Sequence, residues 1–253
     1  MKEKFLDNPN LPTKKVTSVF SYVDDKALKK AFDKFSIKVI DVCENRLLDT
    51  PVSKHADILA NYVGNSTFLV DKNQIELCNF IKDNDGKYVI VDNIKSPYPN
   101  DCILNFADIG DYIICNKSIL TDDVTGFLPD KQIIDVKQGY SKCSVCICKY
   151  NTVITDDISI FNSLLQYDDI KSLLVEKGSV KIDKYDYGFI GGCCGLIDKD
   201  LLLFNGDLSM HSDFDKIKNF LYDNGVSYID IKGKPLKDIG SIIPIMEKDG
   251  DKT

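Results

Sequence analysis

Short apolar segments separated by polar turns recur along the chain as pairs. Each pair has the composition of two β-strands joined by a tight connection, which is typical of a hairpin. The pairs begin near positions 57, 101, 144 and 192, so their spacings are 44, 43 and 48 residues. A nearly constant period of this length indicates a repeated supersecondary unit. The predicted pairs are His55–Gly64 with Ser66–Val70, Asp101–Ala107 with Asp111–Cys115, Ser144–Cys148 with Thr152–Thr155, and Gly192–Ile197 with Leu201–Phe204.

A helical segment and a further apolar strand follow each pair. The clearest helices are predicted at Thr155–Gln166 and at Ser212–Tyr222, the second with Ser212 as its N-cap. Weaker helical patterns cover residues 71–82 and 117–128. Each unit is therefore predicted to run strand, strand, helix, strand (ββαβ). The strands that complete the units are predicted at Tyr88–Val91, Gln132–Val136, Ser172–Val175 and Val226–Ile231.

The two ends of the sequence supply the parts of a fifth unit. Val16–Phe20 is a predicted strand, Asp24–Lys34 a helix and Ile37–Val42 a strand, so this unit lacks its first strand. Gly240–Met246 is a predicted strand with no partner after it. Pairing the last strand with the first would close five units into a ring. A four-stranded β-propeller has a similar period but no helix in each blade.

The predicted fold is therefore α/β, a propeller of five ββαβ units closed by the N- and C-terminal strands. We predict one domain over residues 1–253, with its core at about 15–247. The charged segment 246–253 is predicted to be a frayed tail after Ile245.

Composition narrows the possible partners. Hydrophobic residues make up 43% and charged residues 28%, as in an ordinary soluble protein. Lys and Arg number 32 against 39 Asp and Glu, which gives a formal net charge of -7. Because an acidic surface repels phosphate backbones, we expect no nucleic-acid partner. Arg46 is the only arginine, so bidentate recognition of phosphate is nearly absent.

The sequence also predicts a location. The start, Met1–Pro9, has no apolar stretch, so we expect no signal peptide. Apolar runs stay below the roughly 20 residues needed to span a bilayer, so we expect no membrane partner. Nine cysteines, an odd number, indicate reduced thiols rather than a disulfide framework. These features predict a cytoplasmic protein.

Four stretches carry a resemblance to known proteins: Gln138–Ser144, Asp186–Gly192, Gly206–His211 and Asp238–Ile245. Together with the five-unit pattern they resemble the pentein fold of the guanidine-group-modifying superfamily. The resemblance is greatest to an uncharacterised clostridial family of that fold. Arginine deiminase, agmatine deiminase, amidinotransferase and dimethylarginine dimethylaminohydrolase share the fold. The resemblance implies a ligand cavity on the ring axis.

The same resemblance implies catalytic positions that this sequence leaves vacant. The superfamily enzymes use a cysteine nucleophile near the C-terminus and a histidine before the strands of the fourth unit. Here Ile243 or Pro244 stands where the nucleophile is expected, and Tyr187–Gly191 contains no histidine. The usual deiminase or amidinotransferase mechanism is therefore not expected, and whether the chain is an enzyme stays open.

Other cysteines and histidines are weaker catalytic candidates. Cys193 and Cys194 begin the fourth unit, and one of them should face the axis because strand faces alternate. His55 and Asp57 would share a strand face and could form an acid/base pair. His211 precedes a helix whose positive end would lower its pKa. The alternative is that the cysteines only pack beside close backbones and the histidines only donate structural hydrogen bonds.

A set of polar residues at the starts of the units predicts a ligand site. A ring would bring these residues toward one mouth, and acidic and amide groups there favour a cationic or amine ligand. The alternative is that Asp and Asn are ordinary turn formers. The candidates are Asp57, Asn105, Asp108, Gln138 and Asp238.

The other cysteines do not predict a metal site. Cys146 and Cys148 would share one face of a strand while Cys143 points the other way, and the spacing matches no zinc or iron–sulfur motif. We expect no metal and no cofactor.

The favoured function is binding of a small amine, amino-acid or guanidino ligand in the central cavity without the usual catalysis. One alternative is a divergent cysteine-dependent hydrolase or transferase acting on a guanidino or amide substrate. Another is a macromolecular interaction module, which the acidic, arginine-poor surface disfavours. Nucleotide-binding, zinc-protease and serine-hydrolase motifs are absent from the sequence.

Overall fold

Hairpins and helical crossovers follow one another in a fixed order along the chain. The computed structural model describes residues 2–23 and 25–250, and within them it has sixteen strands and six α-helices. The strands are β1 (Glu3–Phe5), β2 (Val16–Phe20), β3 (Lys38–Ile40), β4 (Ala60–Gly64), β5 (Thr67–Asp71), β6 (Lys87–Val91), β7 (Ala107–Asp108), β8 (Tyr112–Cys115), β9 (Gln132–Asp135), β10 (Val145–Lys149), β11 (Thr152–Thr155), β12 (Lys171–Leu174), β13 (Cys194–Asp198), β14 (Leu201–Phe204), β15 (Ser227–Asp230) and β16 (Ile243–Lys248). The helices are α1 (Lys26–Lys34), α2 (Ala56–Leu59), α3 (Ile75–Asp83), α4 (Asp122–Thr125), α5 (Ile158–Leu164) and α6 (Phe214–Asp223).

Four of the five sheets have the same three-stranded topology. Their strand orders are β4-β5-β6, β7-β8-β9, β10-β11-β12 and β13-β14-β15. In each sheet the first two strands form an antiparallel hairpin, and the third pairs parallel to the second. A helix connects the two parallel strands, because a parallel pair needs a crossover rather than a tight turn. The predicted ββαβ units are therefore confirmed.

The fifth sheet is built from both ends of the chain. Strand β16 pairs antiparallel with β2, with Ile243 opposite Phe20 and Glu247 opposite Val16. Strand β3 then pairs parallel to β2 after helix α1. The prediction that the terminal strands close the ring is confirmed. Strand β1, which lies before the predicted core of 15–247, adds a fourth strand on the other edge of β16.

Several units begin with turns where strands were predicted. Residues 56–59 form helix α2, residues 101–106 lie in turns, and Gly191–Cys193 form one turn of 3-10 helix. Residues 240–242 also precede β16, and Gly240 has a φ of 76° that a strand does not allow. Almost all these residues are buried. An apolar run covered on all sides has the composition of a buried strand, so the pattern could not separate the two.

The helices begin near their predicted positions. Helix α5 starts after Asp157, whose carboxylate accepts hydrogen bonds from the Ser159 and Ile160 amides. The prediction of Ser212 as N-cap of α6 is wrong: the N-cap is Asp213, and Ser212 instead shares a hydrogen bond with Ser179. Asp24, where the first helix was predicted to begin, lies outside the described residues.

The segment after Ile245 belongs to the sheet up to Lys248. Glu247 is fully buried, and its carboxylate accepts hydrogen bonds from the Thr13 amide at 2.6 Å, the Thr13 hydroxyl at 2.9 Å and the Lys14 amide at 2.8 Å. The predicted fraying is therefore wrong for residues 246–248. Residues 251–253 of the predicted tail lie outside the described residues.

The apolar core lies between neighbouring sheets rather than inside any one of them. Its largest fully buried side chains come from three of the sheets, from helix α1 and from the turn before β7: Phe20, Phe32, Phe68, Phe106 and Phe204. No helix in the described part of the chain is long and apolar enough to cross a membrane. The single-domain organisation and the cytoplasmic location stay predictions.

Candidate functional site

A cavity of about 300 Å³ opens among the segments that precede the first strands of the units. One wall is aromatic, and the polar groups lie among segments from four different parts of the ring. The aromatic residues are Tyr140, Tyr185, Tyr187 and Phe189. The polar residues are His55, Cys143, Asp186 and Asp238.

The aromatic wall is held in place by its own contacts. The Tyr140 hydroxyl donates to the Asp101 carboxylate at 2.7 Å, and the Tyr140 ring lies 6.2 Å from the Phe189 ring. Tyr187 packs edge-on against Phe189, also at 6.2 Å between centroids. Burial is the main cause that raises the pKa of Tyr140, so its hydroxyl stays protonated. Contacts with neighbouring groups therefore hold Tyr140, Tyr187 and Phe189 in the cavity wall.

Three reactive side chains meet at the base of the cavity. A ring nitrogen of His55, a carboxylate oxygen of Asp57 and the Sγ of Cys143 all lie within 4.8 Å of one another. The Cys143 thiol donates to Asp57 Oδ2 at 3.1 Å, and the Ser241 hydroxyl donates to the same oxygen at 2.5 Å. Lys142 Nζ in turn donates to Ser241 Oγ at 3.2 Å. This base combines an imidazole, a carboxylate and a thiol, all buried.

Burial also sets the protonation of these groups. It lowers the pKa of His55 to about 4, against a smaller opposing effect of Asp57, so the imidazole is neutral near pH 7. Burial raises the pKa of Asp57, and burial together with the Asp57 carboxylate raises that of Cys143 well above its usual value. His55 Nδ1 lies 3.7 Å from Asp238 Oδ1, but a neutral imidazole makes this contact a polar one rather than an ion pair.

Asn105 holds the base together. Its amide nitrogen donates to the Asp57 carbonyl at 3.0 Å and to Cys143 Sγ at 3.1 Å. Its oxygen accepts from the Lys142 amide at 2.8 Å and from the Cys143 amide at 3.1 Å. One buried side chain thus fixes residues of two different units relative to each other.

Asp238 lies beside this base and faces the cavity. Its carboxylate accepts from the Phe189 amide at 2.9 Å and from the Gly240 amide at 3.0 Å. A Cβ atom at Gly192 would lie 2.1 Å from Asp238 Oδ1, so only glycine leaves room for the carboxylate there. Burial raises the pKa of Asp238 to about 6.

Of the predicted ligand-binding residues, the ring brings Asp57, Asn105 and Asp238 together, and His55 joins them. The strand-face argument for His55 and Asp57 was wrong, because they lie at the start of helix α2 and meet through that turn.

Two other predicted ligand-binding residues lie elsewhere. Asp108 forms an ion pair with Lys131 at 2.7 Å. Gln138 donates to the Asp157 carboxylate at 3.1 Å and accepts from the Tyr140 amide. The ring therefore did not gather all five candidates at one mouth.

The remaining catalytic candidates are buried away from the cavity lining in the described structure. Cys193 lies in the 3-10 turn, so the alternation argument for Cys193 and Cys194 does not hold, and both thiols donate to the Ile190 carbonyl. His211 Nδ1 accepts from the Asp213 amide at 3.0 Å. The pKa of His211 is lowered as predicted, but burial rather than the helix end is the first cause.

Sequence reasoning missed Cys143, Lys142 and Ser241. Cys143 was considered only together with other cysteines, as part of a metal motif. The repeat itself could have pointed to these residues. Units start near positions 57, 144 and 240, and the side chains at or next to these positions, Asp57, Cys143 and Ser241, meet at the base of the cavity.

The family model described as "Family of unknown function (DUF6873)" matches residues 19–243, which is most of the chain. The chain belongs to this family. No curated protein matches the DUF6873 chain. A clostridial origin of its relatives stays a prediction.

Solved structures show the fold of the DUF6873 chain. An inosamine-phosphate amidinotransferase from Streptomyces griseus is similar at a TM-score of 0.62 and 8% identity, covering 98% of each chain. An amidinotransferase of the saxitoxin pathway from Microseira wollei gives 0.55 and 11%, covering 88% of this chain and 91% of that one. DDAH from Pseudomonas aeruginosa, complexed with citrulline, gives 0.52 and 9%, covering 86% and 92%. These likenesses confirm the pentein fold.

Replacing Asn105 with alanine should destabilise the DUF6873 chain by about 2–4 kcal/mol, because buried groups of two units would lose their partners. Chemical denaturation followed by circular dichroism measures this. Asn84→Ala is the control, since Asn84 makes one side-chain hydrogen bond, to the Phe80 carbonyl, and should cost about 1 kcal/mol or less. Equal losses for both variants would contradict the role assigned to Asn105.

Asp156 should make stability depend on pH. Its carboxylate accepts from the Ile190 amide at 3.0 Å, and burial raises its pKa to about 7. Because the folded state holds this proton more tightly than the unfolded state, stability falls as pH rises from about 4 to 7. Asp156→Asn removes that dependence.

The quantity to follow is the difference in unfolding free energy between wild type and Asp156→Asn. We expect this difference to fall by up to about 1.4 kcal/mol for each pH unit between about pH 4 and pH 7. Urea titrations at several pH values measure the difference. A difference that is flat or rises with pH would show that Asp156 is not held protonated.

Proposed function

We propose that this protein binds a small organic cation, an amine, amino acid or guanidino compound, in the central cavity. The observation that carries the proposal is the position of the buried Asp238 carboxylate in the lining of an aromatic-walled cavity, with a second buried carboxylate, Asp57, next to the lining residues His55 and Cys143. Buried carboxylates are costly unless they are paired or protonated. A cationic ligand would supply the missing charge.

The wall supports the same class of ligand. Tyr140, Tyr187 and Phe189 line the cavity with Asp238, and a cation above an aromatic face gains about 0.5–2 kcal/mol. Tyr187 already makes such a contact with Lys177, whose Nζ lies 5.6 Å from its ring centroid. The volume of about 300 Å³ lies at the lower end of the range for small-molecule sites.

A second pocket of about 330 Å³ adjoins the first and shares His55, Ile182 and Asp238 with it. Its lining holds three lysines and the three acids Glu44, Asp183 and Asp238, and Lys237 lies 3.5 Å from Asp183, so a ligand carboxylate there would have to contact Lys54 or Lys184. A ligand with a cationic head and a carboxylate, such as an amino acid, could span both pockets. The lysines are Lys54, Lys184 and Lys237.

The fold supports the guanidino class specifically. Two of the similar solved structures are amidinotransferases, and the third is DDAH complexed with citrulline. At 8–11% identity these structures establish the fold only, so the chemical class of the ligand has to be tested directly.

Arginine and agmatine should stabilise the protein more than citrulline does, because the neutral ureido group of citrulline has nearly the shape of a guanidinium but no charge. A ligand at 100 times its dissociation constant adds about 2.7 kcal/mol, which for a chain of this size raises Tm by roughly 5–10 °C. Thermal shift and calorimetry measure this. Preference for arginine over agmatine would support use of the lysine-lined pocket.

Two variants test the site. Asp238→Asn should weaken binding at least about 10-fold, and Phe189→Leu should weaken it about 3- to 30-fold, since leucine keeps the apolar volume but loses the ring face. Asp122→Asn, in the exposed first turn of α4, removes one charge outside the cavity and should leave affinity unchanged. Binding of citrulline as tight as that of arginine would overturn the guanidino class, and equal effects of all three variants would overturn the site.

A second candidate function is cysteine-dependent hydrolysis or transfer on the bound ligand. Cys143 Sγ lines the cavity beside a neutral His55, which is the specific observation that favours it. In such a step the thiol proton passes to His55 while a bond forms from sulfur to the amidine carbon. His55 then returns a proton to the leaving nitrogen as the carbon–nitrogen bond breaks, and water releases the product.

Product analysis of bound ligands by mass spectrometry tests this candidate. Turnover by wild type that is abolished in Cys143→Ser and retained in Cys194→Ser would assign the reaction to Cys143. Cys194 is an equally buried thiol that lies outside the cavity lining, so it is the matched control. Ligand binding without any product would leave the binding function and remove the catalytic one.

A further inference from the structure

Two buried polar atoms at the base of the cavity lack hydrogen-bond partners among the described residues. They are Nδ1 of His55 and Oδ1 of Asp57. His55 is 3% exposed and Asp57 is 0% exposed, so bulk water does not satisfy them. Buried polar atoms without partners are rare in native proteins, and an ion that the structure does not contain is one of the accepted explanations.

The third side chain of the cluster is Cys143. One ligand atom from each of His55, Asp57 and Cys143 lies within 4.8 Å of the others. Around a tetrahedral ion with ligand distances of about 2.0–2.3 Å, the ligand atoms are about 3.3–3.7 Å apart. The carboxylate that would supply the oxygen ligand already lies close to the thiol, since Cys143 Sγ is 3.1 Å from Oδ2, the other oxygen of Asp57.

We propose that His55, Asp57 and Cys143 form a binding site for a divalent transition-metal ion of the Zn²⁺ type. One nitrogen, one oxygen and one sulfur ligand suit an ion of borderline softness. Mg²⁺ and Ca²⁺ prefer oxygen ligands only, so a thiolate and an imidazole select against them.

The charges at the base agree with a metal ion. On binding, the Cys143 thiol loses to solvent the proton that it now donates to Asp57 Oδ2, and the thiolate and carboxylate then balance the two positive charges of the ion. Lys142 does not reach Asp57 directly, since its ammonium group donates to Ser241 Oγ. The ion would supply the positive charge that the carboxylate and thiolate share.

Neighbouring residues already orient the three ligands. Ser241 donates to Asp57 Oδ2 and so leaves Oδ1 available. Asn105 fixes the Cys143 and Asp57 backbones. A Cβ atom at Gly240 would lie 2.3 Å from the His55 Cα, so glycine is what allows the His55 backbone to lie so close. Partners of this kind around the ligands tune metal affinity by about 10- to 100-fold.

The three protein ligands leave a fourth position toward the cavity, where His55 and Cys143 are part of the lining. This open position is typical of metal sites that contact a ligand rather than of closed structural ones. The inference goes beyond the proposed binding function and does not depend on it. A metal-bound Cys143 thiolate would not act as a free nucleophile, so the metal site and the catalytic candidate exclude each other.

Cobalt titration of the full-length, chelator-treated protein tests the site. We expect saturation at one Co²⁺ per chain, a near-ultraviolet thiolate-to-cobalt charge-transfer band, and visible bands of the intensity typical of four-coordinate cobalt. Zn²⁺ should displace the cobalt. Absence of the charge-transfer band at saturating Co²⁺ would overturn the proposal.

Variants locate the ligands. Cys143→Ser should abolish the charge-transfer band, and His55→Ala should weaken cobalt binding by more than about 100-fold, beyond the effect of losing an outer partner. Cys43→Ser is the control, because Cys43 is the exposed cysteine among the described residues and the obvious place for adventitious binding. A band that persists in Cys143→Ser but vanishes in Cys43→Ser would overturn the site.

A measurement on unaltered protein covers the case in which the variants do not fold. X-ray absorption of the zinc-loaded wild type should show one sulfur and two or three nitrogen or oxygen neighbours. A shell of several sulfurs, or of oxygens alone, would overturn the proposal. Arginine binding measured in chelator separates the two functions: if it persists while no cobalt band forms, the metal site fails and the ligand site stands.

Discussion

The pairing of β16 with β2 is the interaction on which the rest of the structure depends. It joins segments more than 200 residues apart in the sequence and converts a row of ββαβ units into a ring. That pairing brings Ser241 to Asp57, which lies 184 positions away in the sequence and accepts a hydrogen bond from the Ser241 hydroxyl. Glu247 strengthens the junction, since its buried carboxylate holds the segment at Thr13 and Lys14.

The base of the cavity follows from that closure. Asp57, Asn105 and Cys143 come from the first three units, and Asp238 and Ser241 come from the segment that leads into β16. Each side chain alone would be an ordinary turn residue. Brought together they place two carboxylates, Asp57 and Asp238, close to each other at a buried base. We propose two occupants, an organic cation beside Asp238 and a metal ion bound by His55, Asp57 and Cys143. Either one would offset the negative charge of a buried carboxylate.

The sequence predicted the ββαβ unit, the number of units and the closure of the ring. It could do so because each unit keeps its paired apolar segments and their nearly constant spacing. The sequence-based prediction failed for the buried segments that precede the first strands of the units. Residues 56–59 and 101–106 are covered on all sides, so their apolar composition no longer distinguishes helix, turn and strand. Cys143 was missed for a different reason: its partners Asp57 and Asn105 lie 86 and 38 positions away, and no local motif reports such contacts. Asp57, Asn105 and Asp238 were found because they sit at the starts of units.

Ring closure by the last strand also has a consequence for how the protein is made. During synthesis the four complete units emerge in order and can form their local hairpins and crossovers as they appear. Strand β2 emerges early but must wait for β16, the last strand within the described residues, before it gains its antiparallel neighbour. Until then the edge of β2 is open and the base of the cavity is incomplete. The nascent chain therefore passes through a stage with an exposed strand edge, where contact with a chaperone or with another chain competes with closure.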